Sequence, residues 1–264
     1  MAIDFLKMIV DHKLGEIQAA MQQVSLSEMR RKAVVKKARR SFMDAMQRQS
    51  ADDIRIIAEI KRASPSKGDI RMDLEPAPLA AAYEKGGAAA LSVLTDQKFF
   101  KGSFADFQTA RQACNLPMLR KDFLISEYQI LESAVLGADA VLLIARILSP
   151  AQLKDFLHQS HDLGMEALVE IHSEADLKAA NEAGARLIGI NNRNLKSFDT
   201  DIQTAIALVA LLDKNQIAVA ASGIQSIDDI RRNKAAAIYH FLIGESLVRS
   251  DDPARMLQEF MRKQ

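Results

Sequence analysis

Residues 117–145 read PMLRKDFLISEYQILESAVLGADAVLLIA. A short apolar run, 117–123, leads into a helical stretch that Ser126 opens and Gly137 ends, and a second apolar run follows at 139–145. Serine at a helix start and glycine just past a helix end are the residues those positions favour. Runs that are mostly apolar, rather than alternating, belong to strands buried on both faces, which means a parallel sheet covered by helices. The unit recurs outward in both directions. Runs of the same kind stand at 55–61, 89–95, 165–171, 186–192, 217–223 and 239–244, making eight in all. Eight βα units within residues 55–264 predict an α/β chain folded as a closed (β/α)8 barrel, whose usual length is about 250 residues. An open doubly wound sheet would bring a G-x-G-x-x-G turn after its first strand, and none occurs.

The chain is expected to form a single domain over residues 1–264. Residues 1–50 would be a helical extension on a barrel spanning 55–264. Phe5, Leu6, Ile9, Val10, Leu14 and Ile17 recur at helical spacing and predict one apolar stripe. A second helix is expected from Ser25 or Ser27 onward, with Val34, Val35, Phe42 and Met46 on its buried side. Its basic residues, Arg30, Arg31, Lys32, Lys36, Lys37, Arg39 and Arg40, would then form a solvated face.

Composition narrows the function classes. The 264 residues carry 35 Lys+Arg against 34 Asp+Glu, a net charge of +1, one Cys and no Trp. There is no basic footprint for nucleic acid. A lone Cys114 excludes an internal disulfide and a cysteine zinc site. No apolar run is long enough to span a membrane, and the acidic, helical N-terminus does not read as a signal peptide. The expectation is a cytoplasmic protein with no nucleic-acid or membrane partner, a monomer by default.

Polar residues at the C-terminal ends of the strands point to the chemistry, because barrel enzymes build their sites on that face. Side chains alternate along a strand, so Glu59 and Lys61 share the inward phase of the first. Lys121 points inward from the third, Glu170 from the fifth, and Asn191 and Arg193 from the sixth. Six convergent polar groups make a site, since buried charge is costly unless it is paired or used. Arg120 and Asp122 fall in the opposite phase, where a structural ion pair is expected. Ser222-Gly223 follows strand seven and Gly244-Glu245 follows strand eight, the two loops where barrels commonly hold phosphate. Ser64 lies in a third, serine-rich turn after strand one. Phe100 and Phe123 would line the mouth. His158, His161 and His172 read as ordinary helix and helix-entry residues, and Cys114 as core, so no metal is expected.

The stretches IAEIKRASPSKG, LSVLTDQKFFKGS, PMLRKDFLISEYQI, GADAVLLIARIL, LVEIHSEADL, GINNRNL, SGI and LIGESLV resemble indole-3-glycerol-phosphate synthase, in that family's order and near its spacing. The resemblance implies a (β/α)8 lyase of tryptophan biosynthesis. It would close the indole ring of 1-(2-carboxyphenylamino)-1-deoxyribulose 5-phosphate, releasing carbon dioxide and water without cofactor or metal. It implies that Lys121 is the general acid, Glu170 the general base of dehydration, and Glu59 and Lys61 a paired element in which Lys61 assists proton transfer. Asn191 would position hydroxyl groups and Arg193 would bind the carboxylate. Ser64, Ser222, Gly223, Gly244 and Glu245 would hold phosphate, and Phe100, Phe123, Leu142 and Leu195 the ring. The family usually has Glu before Ser-Gly-Ile; here Ala221 stands in its place. Function is expected to survive that change. The competing readings are a sugar-phosphate isomerase, which wants Cys or Asp at the end of strand one, and a non-catalytic phosphate-ligand binder, which would not need both Lys121 and Glu170.

Overall fold

The computed structural model describes residues 5–34, 38–194 and 199–262. Eight strands form the barrel: β1 (Arg55–Ile60), β2 (Ala90–Leu94), β3 (Met118–Lys121), β4 (Ala140–Ile144), β5 (Glu166–Ile171), β6 (Leu187–Asn191), β7 (Ile217–Ala221) and β8 (His240–Ile243). Each pairs in parallel with its sequence neighbour, and β1 closes on β8. These are the eight apolar runs of the sequence, trimmed by a residue or two at their ends. α4 (Pro76–Gly86), α5 (Phe104–Ala113), α6 (Glu127–Leu136), α7 (Pro150–Asp162), α8 (Glu174–Ala183), α9 (Gln203–Val209), α10 (Ile227–Ala235), α11 (Glu245–Arg249) and α12 (Pro253–Met261) follow the strands. Ser126 caps α6 and Ser173 caps α8 through their hydroxyl groups, and Gly87 ends α4 in the left-handed region. Among the described residues no helix is long and apolar enough to cross a membrane.

Strand alternation divides the core in two. Ile57, Leu119, Leu142, Leu168, Leu187, Val219 and Leu242 fill the barrel interior. Ile56, Ala58, Ile60, Val141, Val169 and Ile188 face outward into the layer beneath the helices. Glu59, Lys121, Glu170 and Asn191 continue the inward phase at the strand ends. The fold therefore delivers them to one mouth.

The N-terminal segment forms three helices, α1 (Phe5–Gln23), α2 (Leu26–Ala33) and α3 (Phe42–Met46). Two sequence expectations change here. The buried stripe of α1 is Ile9, Lys13 and Ile17, whereas Leu14 is 49 % exposed. The helix rests on carboxylates at the barrel mouth, so a lysine occupies the buried face. The expected second helix is broken. Ser25 caps α2, which stops at Ala33, and Val34 is 70 % exposed. Arg39 and Arg40 lie between α2 and α3 rather than on a solvated helix face. They donate to the carbonyls of Ala138, Leu163 and Leu116 at the opposite end of the barrel. Carbonyls at helix ends lack intrahelical donors, and these guanidinium groups supply them. Phe42 and Met46 of α3 then plug the barrel bottom. Val35, Lys36 and Lys37 lie outside the described residues.

Candidate active site

β1 carries Glu59 to the rim and Lys61 just beyond it. Lys61 Nζ donates to Glu59 Oε1 at 2.5 Å. Burial works to raise the Glu59 carboxyl, but the charges of Lys61, Lys121 and Arg193 outweigh it and hold it below the usual carboxylate range. Gly244 makes room for this group: a Cβ there would lie 2.5 Å from Glu59 Oε1.

Across the mouth, polar groups link in series. Lys121 Nζ stands 3.7 Å from Glu170 Oε2. Asn191 Nδ2 donates to Glu170 Oε1 at 3.1 Å, and Asn191 Oδ1 accepts from the Arg193 backbone N–H at 3.0 Å. The Arg193 guanidinium reaches Ser66 Oγ, in the turn closed by the short antiparallel pairing of Ala63–Ser64 with Gly68–Asp69.

The loops after β7 and β8 complete the cavity. Ser222 and Gly223 both take positive φ, at 66° and 81°. A Cβ at Gly223 would collide with the Thr200 side chain. The Asn192 side chain locks the loop, donating to the Ser222 carbonyl at 3.1 Å and accepting from the Ala205 N–H at 3.0 Å. Gly244 opens α11 without a side-chain cap. Phe100 and Phe123 sit with ring centroids 6.0 Å apart at 43° and form an apolar wall with Leu142.

One cavity is lined by Glu59, Lys61, Lys121, Glu170, Asn191 and Arg193 on its polar side. Phe100, Phe123 and Leu142 line it on the apolar side, and Ser64, Ser222, Gly223, Gly244 and Glu245 at its rim. Leu195 lies outside the described residues. Ala221 is buried and lines the same cavity. Arg120 and Asp122 make the ion pair expected of them, at 3.3 Å.

Sequence reasoning missed several contributors. Phe5, Leu6 and Ile9 of α1 wall the cavity. Their spacing signals a packed helix but not what it packs on. Ser66 belongs to the serine-rich turn but was not singled out within it. Lys13 joins Asp96 and Asp122 at 2.8 and 2.9 Å beneath α1, and nothing in a helix's sequence marks one lysine as buried. Phe99, next to Phe100 in the chain, does not line the cavity and packs on Phe5 and His12. Cys114 is buried at the end of α5, where burial pushes its thiol up, in keeping with a core role.

The profile of the indole-3-glycerol phosphate synthase family matches residues 6–260. The indole-3-glycerol phosphate synthase of Desulfosudis oleivorans is 52 % identical over 259 residues, 98 % of each chain. That of Syntrophobacter fumaroxidans is 47 % identical over 254 residues, 96 % of each. Among solved structures, thiamine phosphate pyrophosphorylase from Pyrococcus furiosus superposes with a TM-score of 0.59 at 14 % identity, covering 80 % of this chain and 95 % of that one. A likeness so distant in sequence speaks to the barrel alone. The sequence matches go further, and by them the chain belongs to the indole-3-glycerol phosphate synthase family.

Proposed function

We propose that this chain closes the indole ring of 1-(2-carboxyphenylamino)-1-deoxyribulose 5-phosphate, with the cavity residues in the roles that follow. The observation that carries the reading is the Lys121 ammonium 3.7 Å from the Glu170 carboxylate, in a cavity with a phenylalanine wall and glycine turns at its rim. An acid and a base side by side serve a reaction that first gives a proton and later takes one.

The phosphate would sit against the turns at Ser222-Gly223 and Gly244-Glu245, with Ser64 from the opposite side. The aromatic ring would lie on Phe100, Phe123 and Leu142, with its carboxylate toward Arg193. Ring closure joins the carboxylate-bearing ring carbon to the ribulose carbonyl carbon. The C=O electron pair moves to oxygen, and Lys121 supplies the proton that oxygen takes. A cation at that point stabilises charge that develops only in the transition state. Loss of carbon dioxide returns its bonding pair to the ring and restores aromaticity, so the substrate supplies its own electron sink. In dehydration Glu170 takes the proton while the hydroxyl group leaves with another, and Lys61, held by Glu59, assists that transfer. Asn191, bonded to Glu170, positions the hydroxyl groups. The reading carries with it a phosphorylated small-molecule partner and a cytoplasmic setting, where such a metabolite is made.

The test is product analysis. Purified protein incubated with the carboxyphenylamino-deoxyribulose phosphate should yield a single product lighter by one carbon dioxide and one water. Glu170→Gln should accumulate the species that has lost carbon dioxide only. A product isomeric with the substrate would refute the reading in favour of an isomerase. Binding without turnover would favour the non-catalytic reading.

A further inference from the structure

Glu170 has a neighbour that the reaction above does not use. His172 lies two residues further on, in the same inward phase, with its side chain 5 % exposed. Its Nε2 stands 3.7 Å from Glu170 Oε1. Neither ring nitrogen has a hydrogen-bond partner among the described residues. A buried polar ring left in that state is costly and calls for a reason. His172 does not line the cavity but stands beside Glu170. Its backbone is clamped, because the His172 N–H donates to Asp176 Oδ2 at 2.9 Å and Arg146 holds that same oxygen at 3.3 Å.

We propose that His172 is a positioning residue for Glu170: the 3.7 Å gap between them closes when substrate engages the carboxylate, so that the neutral imidazole donates Nε2–H to it and sets the angle from which Glu170 meets the substrate. The inference rests on Glu170 being the base. Four charged groups act on the ring: Glu170 on β5, Asp176 on α8, Arg146 in the turn after β4 and Lys121 on β3. Burial, helped by Arg146 and Lys121, outweighs the two carboxylates and keeps the ring below the ordinary histidine value. At neutral pH it is therefore an uncharged donor. An imidazolium in its place would weaken Glu170 as a base, whereas a neutral donor orients it and leaves its charge available.

The experiment compares His172→Leu, His172→Asn and His172→Gln in turnover, KM and the pH profile of kcat. His172→Leu should lower kcat roughly ten- to hundredfold, the scale of one hydrogen bond to a charged group, with KM little changed. The acid limb of its profile should move to higher pH, because the carboxylate has lost a donor. His172→Gln, whose amide reaches the Nε2 position, should recover most of the loss, and the shorter His172→Asn should not. In a Glu170→Gln background His172→Leu should cause no further loss, as expected of two groups acting as one unit. Wild-type kcat and pH profile in both His172→Leu and His172→Asn would overturn the proposal. So would an undiminished effect of His172→Leu in the Glu170→Gln background. Full turnover in Glu170→Gln alone would instead remove Glu170 from its role, and the inference with it.

Discussion

Lys13, in the first helix of the chain, places its ammonium 2.9 Å from Asp122, the residue that follows Lys121 on β3. Asp96 at the end of β2 lies 2.8 Å from the same nitrogen, and only 3 % of the lysine side chain is exposed. Burial opposes that charge, but Asp122 and Asp96 outweigh it and hold the ammonium above its ordinary range. The contact fastens α1 across the barrel mouth, where Phe5, Leu6 and Ile9 wall the cavity. Removing one partner of a buried ion cluster typically costs about 3–5 kcal/mol, because the other charges are left unpaired. Lys13→Met is therefore expected to lower stability on that scale and to raise KM, as the wall loosens. Denaturant unfolding and steady-state kinetics check both. A variant as stable as wild type would show that the cluster contributes nothing net.

Asp122 and Glu59 give the stability an acid dependence with a definite sign. Burial works upward on the Asp122 carboxyl, but Arg120, Lys13 and the Thr95 hydroxyl outweigh it and hold it below the usual range. Glu59 is held low by its cations. A carboxyl depressed in the folded state contributes stability that is fully present above its unfolded value, about 4, and is lost as pH falls through the folded one. Stability should thus decline as pH drops below about 4. Asp122→Asn should be less stable at neutral pH and show a shallower acid decline. Urea unfolding across pH would reveal this, and an unchanged slope would remove Asp122 as a contributor.

Gly244 separates the site from the fold. A Cβ there would meet Glu59 Oε1 at 2.5 Å, within a contact that must give. Gly244→Ala should push Glu59 off Lys61 and lower kcat while shifting the melting temperature little. Equal kcat would mean the Glu59–Lys61 pair tolerates displacement.

Ala221, at the end of β7, lines the cavity with a methyl group only. Ala221→Glu would add a negative charge to the cavity that Lys61 and Lys121 line, and a nearby negative charge favours a cation. The alkaline limb of kcat should then move upward. A limb that stays in place would show that this position does not communicate with Lys121.

The barrel was legible because two signals recur along the chain: a short, mostly apolar run and, in most units, a helix with a marked start or stop. Glu59, Lys121, Glu170 and Asn191 were legible as exceptions, since charge has no structural reason to occupy the inward phase of a barrel strand. Lys13 was not. On a helix a lysine is unremarkable, and only the tertiary placement of Asp96 and Asp122 makes its burial favourable. Arg39 and Arg40 misled for a related reason: a basic run reads as a solvated face until helix-end carbonyls come within reach. Gly223 and Gly244 were legible as turns, but the close approaches that demand glycine come from Thr200 and Glu59, both distant in sequence.

The most direct test of the central claim follows indole fluorescence as purified protein meets the carboxyphenylamino-deoxyribulose phosphate, in parallel with folded Lys121→Met. Wild type should give a steady rise, and the variant a rate lower by ~10²–10⁴, the usual cost of losing a general acid. A variant that turns over at the wild-type rate, or a wild type that yields no indole, would contradict it.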